Sequence, residues 1–216
     1  AHPLMSGAMV NNDPATPTHF NTKFDSVISN QNAMNSGIAN IAIDVTSRGV
    51  PTDGTDSYTS LQNLISTTSN VYFPPGRYGL SQPLSLRSYQ RVWGAGPELT
   101  TLLALGSNAT VLDLSNVSYV YVGEMTLHCQ GSSRTTLTAG LVGYSCHTGT
   151  DLVLERVDIQ EPLGPSGGGS SAAIGWSDVV RARARAVRIL SLGSYTRPTD
   201  GMYVRGNVIQ ILDSIA

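Results

Sequence analysis

Asp53-Gly54-Thr55-Asp56-Ser57, Val71-Tyr72-Phe73-Pro74-Pro75-Gly76-Arg77-Tyr78 and Val92-Trp93-Gly94-Ala95-Gly96-Pro97, ending at Thr101-Leu102-Leu103, follow one another within fifty residues. The first is a helix start, and Leu61, Leu64 and Ile65 behind it make a short apolar helix over about Ser57 to Thr67. The second is a strand closed by a Pro-Pro-Gly corner, and the third a strand closed by a Gly-x-Gly turn. Short apolar strands broken at fixed points by Gly and Pro describe a sheet that bends rather than one that runs flat. The helix is placed to cover the open apolar end of such a coil.

The rest of the composition agrees. Of 216 residues only 13% are charged, against about 25% in an average globular chain. Gly is abundant and Lys23 is the only lysine, the profile of a turn-rich β protein. A formal charge of −2 argues against nucleic acid as a general partner. Cys129 and Cys146 are too few for a disulfide framework. Ala1-His2-Pro3-Leu4-Met5-Ser6-Gly7 lacks a basic, then apolar, secretion signal, and no apolar run reaches the ~20 residues of a membrane span. These features predict a soluble protein made in a reducing cytosol, with no membrane partner and no cofactor.

From Ala109 the chain repeats. Thr110-Val111-Leu112-Asp113-Leu114, Ala139-Gly140-Leu141-Val142-Gly143, Ala172-Ala173-Ile174-Gly175-Trp176 and Asp200-Gly201-Met202-Tyr203-Val204 align as one strand of four successive units. A second strand pair follows each, with apolar residues at offsets 0, 2, 5 and 7: Val120, Val122, Met125, Leu127; Leu152, Leu154, Val157, Ile159; Ala182, Ala184, Val187, Ile189; then Ile209 and Ile211. Alternation sends these inward, and the break after offset 2 predicts a turn. Each unit leaves an apolar face for the next to cover. Gln130–Arg134, Pro162–Ser171 and Leu192–Thr199 are read as loops leaving the coil. The sequence stops at Asp213-Ser214-Ile215-Ala216, inside a unit, which predicts a longer polypeptide.

Ahead of the repeat, residues 1–15 are polar and aperiodic, and Thr16-Pro17 starts a helix. Phe20, Phe24, Val27, Gln31, Met34, Ile38 and Ile41 follow at alternating steps of four and three, a heptad seam with one polar member. That seam suits self-association, and it suits equally a helix packed on the coil.

The helix start, the "YFPPGxY" corner and the "xGxGxxxT" turn together resemble the opening of pectate-lyase-like right-handed parallel β-helix proteins. The helix departs from the family pattern at Ser57, where a second acidic residue is usual. With a polar leader, a helical seam and no secretion signal ahead of the coil, the whole is similar to bacteriophage tailspikes. The resemblance implies a mainly β, right-handed parallel β-helix. It also implies a virion-anchoring leader and oligomerisation helix over residues 1–42, an opening and capping region over 43–108, and rungs over 109–216. The implied protein is a homotrimer located in the virion tail and made in the host cytoplasm. Residues 1–42 would dock on a tail or adaptor protein, and the coil would bind, and often cleave, host surface polysaccharide. A free polysaccharide lyase or hydrolase and a non-enzymatic adhesin remain the other readings, since fold alone does not choose.

Candidate chemistry is sparse. Arg181, Arg183, Arg185 and Arg188 form a comb whose first three members share the outward face. It could hold an acidic glycan or a phosphate, pair with carboxylates such as Glu155 and Asp158, or form a plain solvated or subunit-facing strip. Asp113, Glu124, Glu155, Asp158, Asp178 and Asp200 are the carboxylates from which an acid–base pair would come, and no motif selects among them. His128-Cys129 and Cys146-His147 mimic a metal set, but neighbours on a strand point oppositely, so no metal site is expected. Asn108-Ala109-Thr110 is a glycosylation triplet of no weight without secretion.

Overall fold

A computed structural model describes residues 42–133, 142–163, 172–190, 200–206 and 209–213. The seven seam residues from Phe20 to Ile41 lie outside these, as do the expected loop Leu192–Thr199 and all of the loops Gln130–Arg134 and Pro162–Ser171 except Gln130–Ser133, Pro162 and Leu163.

The chain opens with β1 (Ile43–Asp44), a 3-10 turn, β2 (Asp53–Asp56) and α1 (Tyr58–Thr67). Two turns of coil follow: β3 (Asn70–Phe73), β4 (Gly76–Leu80) and β5 (Leu84–Ser85), then β6 (Arg91–Gly94), β7 (Thr100–Ala104) and β8 (Thr110–Asp113). Longer strands follow, of which β9 and β11 each run through a corner. They are β9 (Ser118–His128), β10 (Val142–His147), β11 (Thr150–Gln160) and β12 (Ala172–Val179). The last are β13 (Ala182–Arg185), β14 (Arg188–Leu190), β15 (Asp200–Gly206) and β16 (Ile209–Leu212).

All pairings are parallel, and each strand pairs with its equivalent one turn away. Three faces result. Face one stacks β1, β3, β6, the first halves of β9 and β11, β13 and β16. Face two stacks β2, β4, β7, the second halves of β9 and β11, and β14. Face three stacks β5, β8, β10, β12 and β15. This is the right-handed parallel β-helix expected, with about five turns.

Inward columns run the length of the coil. Val71, Val92, Val122, Leu154 and Ala184 are in register on face one, and Leu84, Leu112, Tyr144 and Ile174 on face three. All nine side chains are completely buried. In the first three units the residues at offsets 0, 2, 5 and 7 point inward as expected, all of them buried except the half-buried Ile189, while Ile211 of the fourth is exposed; the break falls at a corner residue in left-handed conformation: Glu124, Arg156 and Ala186, with φ of 58°, 50° and 50°. Asn116, Thr148 and Asp178 do the same at the corner leading into face one. Non-glycine residues hold this conformation only when the surroundings fix it. Here the backbone ladder continues through the corners: the Asn116 N–H donates to the His147 carbonyl and the Thr148 N–H to that of Ser177, each on the next turn.

One register differs from expectation. Val142, not Ala139, stands opposite Thr110, and Tyr144 stands between Leu112 and Ile174. Matching the small pair Ala139-Gly140 to Ala172-Ala173 slips the strand by three. Burying Tyr144 in line with Leu112 and Ile174, and Cys146 opposite Trp176, decides the true register, because the interior selects bulky apolar groups.

Helix α1 closes one end. Leu61 and Ile65 are completely buried in the coil's core. The Ser57 hydroxyl does not cap the helix; the Asp56 carboxylate does, accepting from the Tyr58 N–H at 3.1 Å and from the Ser81 N–H on the next turn at 3.1 Å. Gln62 exchanges two hydrogen bonds with the Ser85 backbone, and the buried Gln90 amide donates to the Ile65 and Thr68 carbonyls, satisfying the helix end.

Two outcomes follow for the stack. A Cβ on Gly94 would lie 2.3 Å from the Glu124 carbonyl oxygen, whereas one on Gly175 meets nothing within 4 Å. Gly94→Ala is expected to cost about 1–3 kcal/mol in denaturant titration, and Gly175→Ala to stay within about 0.5 kcal/mol. Cys129 and Cys146 are buried thiols, and burial with the nearby Asp113 charge pushes Cys146 up to about 12. A thiol reagent at neutral pH should modify neither in the folded protein and both in denaturant.

Candidate functional site

A coil with a filled interior must do its chemistry on its outside, so the outward residues of each face are the candidates. On face one, Arg181, Arg183 and Arg185 flank the buried Ala182 and Ala184 and are exposed, as alternation predicts. Arg188 lies past the Ala186 corner, on face two.

Three of the four arginines are already engaged. The Arg181 guanidinium clasps Asp151 at 2.6 and 2.5 Å, Arg188 clasps Asp158 at 2.7 and 2.5 Å, and Arg185 reaches Glu155 at 3.4 Å. The hydrogen bonds from Arg181 hold the Asp151 carboxyl below its ordinary value. Arg156 pairs with Glu124 at 3.4 Å and Arg205 with Asp178 at 3.3 Å. In all five pairs the arginine sits one turn after its carboxylate in the chain. These are ties between rungs, each individually weak because it is exposed on at least one side. Asp158 is the exception in burial, its side chain only 4% exposed.

Those ties account for four of the six candidate carboxylates. Asp113 instead accepts hydrogen bonds from the Ser115 N–H and hydroxyl, and Asp200 lies in β15 opposite Ala172. Cys129 and Cys146 are buried strand-end residues, His147 is exposed, and His128 accepts from the Gln130 N–H through Nδ1. Burial holds the His128 imidazolium pKa below its ordinary value. Among the described residues no three His, Cys, Asp or Glu side chains are grouped to hold a metal. Asn108 is buried, donating to the Leu80 carbonyl at 3.0 Å, which removes it from any glycosylating enzyme. No helix among the described residues is long and apolar enough to cross a membrane.

Arg183 is different. Its Nε donates to the Gln210 amide oxygen at 3.1 Å, and among the described residues no carboxylate lies within 4.0 Å of it. The same register column, followed backward, runs through Val153 and Tyr121 to Arg91. Arg91 is exposed, with its guanidinium carbon 4.8 Å from the Trp93 ring centre and 4.9 Å from that of Tyr121. Tyr72 lies one turn before Trp93, ring centres 6.0 Å apart. Tyr121 lies flat across Gly123, where a Cβ would come within 2.5 Å of its hydroxyl. Tyr72, Trp93 and Tyr121 are all half-buried. Sequence reasoning placed these rings on strands but missed the platform, although the 30-residue step from Arg91 to Tyr121 equals the later rung step from Arg183 back to Val153.

A second feature is a cleft of about 540 Å³ beside the Gly94–Pro97 turn. The Gly96 N–H donates to the Glu124 carbonyl and the Thr126 hydroxyl donates to the Pro97 carbonyl, so the turn is folded against the next rung. Glu98, Asp158, Arg156, Arg188 and Asp213 supply the cleft's charges.

No family model matches the chain, and no curated protein matches it in sequence. Solved structures do. PfbA, a surface adhesin of Streptococcus pneumoniae, aligns at a TM-score of 0.56 and 15% identity, over 81% of this chain and 49% of that one. The mannuronan C-5 epimerase AlgE4 A-module of Azotobacter vinelandii aligns at 0.57 and 16%, over 80% and 50%. ORF18 of Geobacillus virus E2 aligns at 0.48 and 14%, over 87% and 50%, a score too low to bear on function. The chain thus spans about half the length of each of these three proteins, and at such identities the likeness is one of fold: it is a parallel β-helix related in architecture to an adhesin and to a polysaccharide-modifying enzyme.

Proposed function

We propose that this chain is the β-helix of a trimeric bacteriophage tailspike, binding polysaccharide of the host surface, with residues 1–42 attaching it to a tail or adaptor protein. The observation that carries the binding half is the outer surface of face one. Half-buried aromatic rings, Tyr72, Trp93 and Tyr121, sit there on three consecutive rungs of an internally filled stack, with exposed arginines at Arg91 and, beyond the Val153 rung, at Arg181, Arg183 and Arg185. Sugar rings present apolar C–H faces and polar edges, which such a surface matches through ring stacking and arginine hydrogen bonds. The attachment half rests on the polar leader and the Phe20–Ile41 seam.

The cleft beside the Gly94–Pro97 turn favours a second reading, a β-helix hydrolase or lyase, because it gathers Glu98, Asp158 and Asp213 around Arg156 and Arg188.

Light scattering of the purified chain at micromolar concentration should give a trimer; a stable monomer would count against the tailspike reading. Deleting residues 1–41 should abolish incorporation into virions while leaving the β-helix folded by circular dichroism. For the second reading, a chain that releases reducing ends or unsaturated sugars from polysaccharide, and loses that activity at least a hundredfold in Glu98→Gln, would displace simple binding.

A further inference from the structure

Tyr89, Tyr119 and Asp151 occupy one column at the entry to face one, on three consecutive rungs. All three have a left-handed backbone, with φ of 62°, 59° and 56°. Aspartate takes that conformation readily, whereas a bulky ring there is an outlier. The two tyrosines do not offset the strain by burial, being 70% and 49% exposed. Their rings lie face to face instead, centres 4.9 Å apart and planes inclined by 13°. The ladder fixes this placement from beneath: the Tyr89 N–H donates to the Ser118 carbonyl at 2.9 Å, and the Ser118 N–H to the Ser88 hydroxyl at 3.0 Å. On the far side Arg181 clasps Asp151, and the Tyr119 hydroxyl lies beside the same carboxylate. Among the described residues no other two tyrosine rings are in contact. Strain kept at an exposed pair, with nothing gained in the core, points to a task performed by the rings themselves.

We propose that Tyr89 and Tyr119 are a site of oxidative cross-linking, coupled into a dityrosine that staples two neighbouring rungs. The oxidant is hydrogen peroxide used by a haem peroxidase. Each phenol loses one electron and its hydroxyl proton, leaving a phenoxyl radical whose spin is shared with the ring carbons ortho to the oxygen. One ortho carbon of each ring enters the new C–C bond. The hydrogen on each joined carbon then moves to its ring's oxygen, which restores both phenols. The two electrons and two protons removed reduce one hydrogen peroxide to two molecules of water. The stack favours this outcome because each radical has its partner already in contact, so coupling is intramolecular. Exposure admits the oxidant and leaves the rings room to slide until their ortho carbons meet. The sulfur groups of Cys129, Cys146 and Met125, which would compete for the oxidant, are buried. The finished staple closes a loop of the unfolded chain as a disulfide would, from the rung beside the capping helix to the next.

The test is to treat the purified full chain with a haem peroxidase and hydrogen peroxide. The product should be a single chain lighter by two hydrogen atoms, with the blue fluorescence of dityrosine. Trypsin cuts after Arg87, Arg91 and Arg134, so the staple should join the tetrapeptide Ser88-Tyr89-Gln90-Arg91 to the peptide of residues 92–134. Tyr89→Phe and Tyr119→Phe keep a stacked ring but remove the phenol, and each should lower the yield of linked peptide roughly tenfold or more. Tyr121→Phe, in the same tryptic peptide as Tyr119, and Tyr203→Phe, exposed on face three, should change it less than about twofold. Circular dichroism shows that each variant is folded before oxidation. The oxidised chain should also unfold at a midpoint about 5 °C higher than the untreated one. Linked peptide that persists in Tyr89→Phe, or dityrosine that forms only between chains, would overturn the site. Oxidation of the chain without any linked peptide would overturn it as well. Linked peptide with an unchanged midpoint would overturn the staple.

Discussion

Everything in this molecule depends on one turn of coil covering the next. Each rung contributes a ring of inward side chains and three short rows of backbone hydrogen bonds, and neither is complete until another rung lies against it. Inward columns such as Val71–Val92–Val122–Leu154–Ala184 are the result, and α1 ends the stack by putting Leu61 and Ile65 where a further rung would be. An interior filled in this way has no room for a ligand. Recognition must take place on the outer faces, where rung spacing becomes a ruler for whatever is bound.

That constraint explains the corners. A coil that turns three times per rung needs sharp bends, and in the later rungs it makes them with single left-handed residues such as Glu124, Arg156 and Ala186. None is glycine. At Asn116, Thr148 and Ala186 the backbone N–H at the bend donates to a carbonyl of the following rung, so local strain there is offset by the ladder. Where the bend is instead widened into a loop, as at Gly94–Pro97, the loop folds against the next rung and walls a cleft.

The charged residues of the surface divide by the same logic. Among the described residues arginine one turn after aspartate or glutamate recurs five times, and these pairs join rungs at the surface as the core joins them inside. An arginine comb that looks uniform along one strand is therefore not uniform in charge. Only the rung beneath tells which members are compensated, and Arg183, over Val153, is the one that is not.

By itself the sequence determined the class of fold and the direction of most core side chains, because period-two alternation and a repeat near thirty residues are local properties of the chain. The capping helix, its Leu61 and Ile65, and the inward sets from Val120 to Val187 were legible for that reason. Register was not: Val142 rather than Ala139 faces Thr110 because filling the interior with Tyr144 and Cys146 outweighs a match of small residues. The aromatic platform of Trp93 and Tyr121 with Arg91, and the neutralisation of Arg181, Arg185 and Arg188, were left to the tertiary structure. Both are relations between neighbouring rungs about thirty residues apart, and a strand read alone does not say which side chain of the next turn lies against it.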